Sequence, residues 1–170
     1  MVSYLNWRKL LIYALKFLGV AFLVFGCAKA PQKLEQTSST TIFFSINQFK
    51  FYDLGFIKKY PTKTTLEIFN MGHLLFTFSA SNTGVCLNDT CYSKEIFIRR
   101  FFKNEALGGL NFKDILEGKE ILGGEGKEKQ ERGFIQKIQK GNNKIFYEVS
   151  KNRIYFKESQ SKFTLEINYN

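Results

Sequence analysis

The side chains of this sequence most able to do chemistry are three cysteines and one histidine: Cys27, Cys86, Cys91 and His73. Cys86 and Cys91 stand in GVCLNDTCYS, a C-x₄-C spacing that lets two thiols face each other across a tight loop. A zinc site would need two further ligands, and His73 is the only histidine. A thioredoxin-type redox pair would take the form C-x-x-C. The pair is therefore expected to be a structural disulfide in a chain bound for an oxidising compartment, and no metal is expected. His73 follows Gly72 beside an apolar run, with no serine and acid spaced to complete a hydrolytic triad. The stretch Gly123-Gly124-Glu125-Gly126-Lys127 fails as a phosphate loop. Ile121 stands where that loop needs its first glycine, and Glu128 where it needs Ser or Thr. Asn88-Asp89-Thr90 matches a glycosylation sequon but lies inside the expected disulfide ring. The acidic residues are scattered and suggest no facing carboxylate pair. The expectation is a protein that is not an enzyme and carries no cofactor.

Cys27 has a different setting. Arg8, Lys9 and Lys16 precede the apolar run FLGVAFLVFG, and the cysteine closes that run. A basic end, an apolar core and a small residue before the cut are the order of a secretory signal. After Lys16 the run is about half the twenty apolar residues that a spanning helix takes. Val24-Phe25-Gly26-Cys27 resembles the lipobox of bacterial lipoproteins. The resemblance implies a signal peptide over 1–26, a diacylglycerol on the Cys27 thiol and a lipid-anchored N-terminus. Acyl chains contribute about 0.8 kcal/mol per buried CH₂, so two or three of them hold a domain firmly on a bilayer. Ala28, where an Asp would suggest inner-membrane retention, points to the outer membrane and a domain facing the periplasm. Residues 27–39 then read as the lipidated end and a polar tether.

The elements behind these residues are mostly strands. Nineteen Phe and eight Tyr against two Pro favour β structure. From Thr40 onward the apolar period is two: Ile42, Phe44 and Ile46; Leu66 and Ile68; Leu74, Phe76, Phe78 and Ala80; Ile145, Tyr147 and Val149; Ile154 and Phe156; Phe163, Leu165 and Ile167. Turn signals such as Asn70-Met71-Gly72 and Gly141-Asn142-Asn143 separate the runs, which predicts an antiparallel meander. SKEIFIRRFFKN, residues 93–104, fits either a strand or a short helix. LNFKDILEGKE, from Leu110 to Glu120, predicts a helix capped by Asn111 with Phe112, Ile115 and Leu116 on one face. GEGKEKQERG is expected to be a charged surface loop. The formal charge of +10 includes the three cations of the signal segment, and the remaining lysines are spread along the strands. That spacing speaks for a solvated face and against nucleic acid.

The expected architecture is one mainly β (α+β) domain over 40–170: an antiparallel curved sheet or half-open β-barrel with a helical lid inserted near 93–120. With a lipobox before it, LGGLNFKDILEG in a lid position and RIYFKESQSKFTLEINY as closing strands, this layout resembles the LolA/LolB class of lipoprotein carriers and receptors. The resemblance implies an apolar concave face, covered by helices, that holds acyl chains. Its cavity would be lined by Phe44, Phe76, Phe78 and Phe156 from strands and by Phe112, Ile115 and Leu116 from the helix. The expected partners are the membrane, through the lipid anchor, and a lipid or lipoprotein acyl chain. The alternative is an envelope-complex assembly protein whose core is dry.

Overall fold

The computed structural model describes residues 32–170. The expected signal segment and Cys27 lie outside the described residues.

The alternating runs become one open, curved, entirely antiparallel sheet of eleven strands. The first six are β1 (Gln36–Ile46), β2 (Phe49–Lys59), β3 (Lys63–Asn70), β4 (His73–Ser81), β5 (Gly84–Leu87) and β6 (Thr90–Ser93). A helical segment follows: α1 (Lys94–Phe97), a π-helical turn (Ile98–Phe102), a 3₁₀ turn (Glu105–Leu107), α2 (Phe112–Glu117) and a second 3₁₀ turn (Leu122–Gly124). The chain then adds β7 (Lys127–Gln130), β8 (Gly133–Lys140), β9 (Asn143–Ser150), β10 (Arg153–Glu158) and β11 (Thr164–Tyr169). The spatial order is β6-β5-β4-β3-β2-β1-β11-β10-β9-β8-β7. Two meanders therefore meet where the first strand pairs with the last, from Thr40↔Tyr169 to Ser45↔Thr164. The helical segment connects the two outermost strands.

One face of the sheet carries the core. Ile42, Phe44 and Ile46 of β1 are buried, as are Leu66 and Ile68 of β3, Phe76, Phe78 and Ala80 of β4, and Leu165 and Ile167 of β11. Phe97, Ile98, Phe102, Leu107, Leu110, Phe112, Ile115, Leu116 and Ile121 of the helical segment pack against them in the same cluster. Phe163 sits at its centre, with ring centroids 5.5–5.8 Å from Phe44, Phe102, Phe112 and Phe156. Gly55 lets the sheet close up on this side. A Cβ there would lie 2.3 Å from the Glu67 carbonyl oxygen and 2.5 Å from Ile42 Cδ1.

Local chemistry explains the helical segment. Ser93 Oγ accepts from Ile96 N and so starts α1, which makes residues 94–102 helical rather than strand. Asn111 Oδ1 accepts from Lys113 N at the start of α2, and Gly118, in the left-handed region at φ 69°, ends it. Phe112, Ile115 and Leu116 are the buried face, as their spacing implies.

Two boundaries differ from the sequence reading. β1 begins at Gln36, inside the expected tether, because Gln36–Ser39 pair with Lys59–Phe56 of β2. The expected charged loop contains β7, paired from Lys127↔Gln136 to Gln130↔Gly133. All four β7 residues are exposed, so no burial alternation betrays the strand.

Candidate functional site

A largely apolar groove of about 500 Å³ lies at one end of the sheet. Ligand pockets commonly run from about 300 to 1,000 Å³. Its floor is Ile46, Phe51 and Phe76, with Phe51 and Phe76 stacked at 4.7 Å between ring centroids. Phe49, at the start of β2, and Leu75 stand at its rim and are 65% and 51% exposed. Leu75 reaches the groove through a break in register. Ile68 pairs with Phe76, but Phe69 pairs with Leu74, which leaves Leu75 as the extra residue of a bulge.

The opposite wall comes from the β5–β6 hairpin and the π-helical turn. Leu87, Asn88, Thr90 and Tyr92 line it, together with Arg100 and Phe101. Cys86 and Cys91 are bonded to each other at directly opposed positions of this hairpin, with their Cα atoms 4.0 Å apart. The expected disulfide is thus present, and it fixes the ends of the strand pair that presents Leu87 and Tyr92. The hairpin tip is fastened to β4 as well. Asn88 N donates to Thr77 O, and Asn88 Oδ1 accepts from Thr77 N, each at 2.8 Å. Phe101 packs edge-on to Tyr92 at 5.7 Å and against Phe97 at 4.6 Å, so the π-helical turn is continuous with the core.

A polar notch of about 370 Å³ adjoins the groove and shares Asn47 and Phe101 with it. Lys103, Asn142, Gln160 and Ser161 line the notch. Beneath it the fully buried carboxylate of Glu158 accepts from Asn143 Nδ2 at 2.8 Å, Gln160 N at 2.9 Å and Ser161 N at 2.7 Å. Those bonds make Glu158 a clasp for the β10–β11 turn, since a buried charge must be bonded to be tolerated.

The seven residues expected to line a cavity are in the core. Phe44 lies 4.9 Å from Phe76 and 5.3 Å from Phe78, measured between ring centroids. Phe78 contacts Phe112 edge-on at 6.2 Å, Phe156 meets Tyr147 at 6.1 Å, and Ile115 and Leu116 are wholly buried. Of these seven, Phe76 alone also lines the groove. Sequence reasoning missed Ile46, Leu75, Leu87, Tyr92 and Arg100 as lining residues. Phe49, Phe51 and Phe101 also line it, and in the sequence only the count of nineteen Phe touches them.

The helical segment is fastened along its length. Gln136 donates from Nε2 to the Ile121 and Glu125 carbonyls and accepts from Ile121 N at 2.9 Å. Asn104 Nδ2 donates to Lys140 O at 2.9 Å. Tyr147 OH donates to Ile115 O at 3.3 Å, and burial raises its pKa. Glu117 at the end of α2 accepts from Thr64 Oγ1 at 2.7 Å and pairs with Lys113 at 2.9 Å and Lys119 at 2.7 Å. Burial opposes ionisation of this carboxyl, but hydrogen bonds from Lys119, Lys113 and Thr64 outweigh it and hold the pKa at about 2.

His73 opens β4 opposite Asn70 and is exposed. Among the described residues no group of three or more His, Cys, Asp or Glu is placed to hold a metal ion. No described helix is long and apolar enough to cross a membrane. Comparison of the chain with protein-family models and with curated proteins finds no match.

Proposed function

We propose that this chain is a bacterial lipoprotein anchored through Cys27 to the outer membrane, whose domain is a half-open barrel that binds a lipid or lipoprotein acyl chain in envelope biogenesis. The lipobox-like LVFGC and the basic-then-apolar order before it support the anchor. The observation that carries the binding reading is the groove over stacked Phe51 and Phe76, an apolar hollow open to solvent at the end of a helix-covered sheet. The ligand site in this reading is the groove rather than the space beneath α2, where Phe44, Phe78, Phe112, Ile115, Leu116 and Phe156 pack against one another. The role is that of a carrier or receptor and not an enzyme, with no cofactor and no nucleic acid.

Titration of a fluorescent acyl probe against the protein tests the binding, with saturable binding expected for the parent chain. Leu75→Asp at the exposed rim should weaken it about three- to tenfold, since Leu75 is 51% exposed and about half of the ~1.5–3 kcal/mol for burying such a side chain remains to be gained. Linear, unsaturable partitioning would refute the reading. The anchor is tested by acyl labelling in a bacterial host: Cys27→Ser should abolish incorporation, and unchanged incorporation would dispose of the lipoprotein assignment.

A second reading, an envelope assembly protein with a dry core, is favoured by the packing beneath α2 and by one surface feature. Tyr52, Leu54 and Phe56 alternate along the outward face of β2 and are 70%, 59% and 38% exposed, and Phe43 and Phe69 lie beside them. Such a stripe suits a protein contact. Crosslinks from Leu54 to an envelope protein, with no saturable acyl binding, would put this reading first.

A further inference from the structure

We infer that the groove takes an alkyl chain ending in an anionic head group, and that Arg100 supplies the charge that meets it. This rests on the acyl-binding reading above and chooses within it: a free fatty acid or an acidic phospholipid rather than the uncharged thioether-linked glyceride of a lipoprotein.

Charge and its placement carry the inference. Arg100 is the one charged residue among those lining the groove, and neither the groove nor the adjoining notch is lined by Asp or Glu. Its guanidinium carbon stands 5.5 Å from the centroid of the Tyr92 ring, which also lines the groove. Stacking on a ring limits where the fork of N–H donors can point without consuming any of them. Arg100 makes no ion pair among the described residues, whereas Arg153, on the sheet, pairs with both Glu148 and Glu166. Phe101, the next residue, lines both the apolar groove and the notch, and Lys103 in the notch adds a second cation. An alkyl chain lying on Phe51 and Phe76 would share the groove with the exposed Arg100. A carboxylate or phosphate there can accept two parallel N–H bonds, and an ester cannot match their charge. The remaining polar lining, Asn47, Asn88 and Thr90, is uncharged and indifferent to the sign of a head group.

The test uses the full chain on phosphatidylcholine vesicles with two photoactivatable probes, a diazirine fatty acid and its methyl ester. Label is located by peptide mapping, and the readout is the ratio of acid to ester labelling at groove residues. The parent chain should favour the acid, Arg100→Gln should lower the ratio about three- to tenfold toward unity, and Arg100→Lys should restore part of it. Competition by free palmitate or by phosphatidylglycerol vesicles, of which at least one is expected to compete, then identifies the source of the anionic chain. Equal labelling by acid and ester in the parent overturns the role of Arg100 and leaves acyl binding standing. Label absent from the groove with both probes overturns the acyl-binding reading itself.

Discussion

At the scale of single residues, Thr40 departs from the economy of the rest of the sheet. It is wholly buried on β1, and its Oγ1 has no hydrogen-bond partner among the described residues. A hydroxyl desolvated without a partner is unfavourable, and valine keeps the branched shape while removing the oxygen. Thr40→Val should therefore stabilise the protein by about 1 kcal/mol in urea unfolding. A loss of comparable size would mean that the hydroxyl has a hydrogen-bond partner in solution. Residue-scale features of this kind were poorly legible in the sequence. The strand phase at Ile42, Phe44 and Ile46 shows which face is buried, so the core could be read. Leu75 could not be read as a groove residue, because its direction depends on a bulge that the regular alternation of Leu74, Phe76 and Phe78 conceals. Arg100 was hidden for a similar reason: RRFF has no helical or strand period that singles out either arginine.

At the scale of elements, α2 is held by chemistry that depends on pH. Glu117 ionises at about 2 instead of its ordinary 4.5, so between those values the folded form binds fewer protons than the unfolded form. The stabilisation from its bonds to Thr64, Lys113 and Lys119 is complete above about 4.5 and is lost as the pH falls toward 2. The gap in melting temperature between the parent and Glu117→Gln should accordingly be widest near neutrality and close in acid. A gap constant across that range would contradict the assignment. The helix itself was legible, since Asn111 and the spacing of Phe112, Ile115 and Leu116 carry cap and face together. The glycine pairs Gly108-Gly109 and Gly123-Gly124 flank a segment that is bonded to the sheet at Asn104, Ile115, Glu117 and Ile121. No glycine pattern could reveal those anchors, because Lys140, Tyr147, Thr64 and Gln136 come from distant strands.

At the scale of the whole molecule, the sheet has a seam at its centre and loose ends at its margins. β1 and β11 are the first and last strands among the described residues, each flanked by a partner on both sides. β6 and β7 are four residues each and have one neighbour. Amide exchange should therefore be slowest along Ile42–Phe44 and Leu165–Ile167 and fastest in β7, because local opening follows burial and pairing. Faster exchange at the seam than at β7 would mean that the two meanders separate as independent units. The pairing of first with last was beyond the sequence, since period and turns order neighbours within a meander but say nothing of which meander edges join. The margins have a further consequence. A sheet that stays open offers two rows of unpaired peptide groups to any passing strand, the usual route to fibrils and runaway association. Here one row is short and covalently pinned at Cys86–Cys91, and the other carries Lys127, Glu128 and Lys129 in succession. An incoming strand would meet a short, disulfide-pinned strand on one side and a short, charged one on the other, so the sheet can stay open, crowded among its own copies, without templating a polymer.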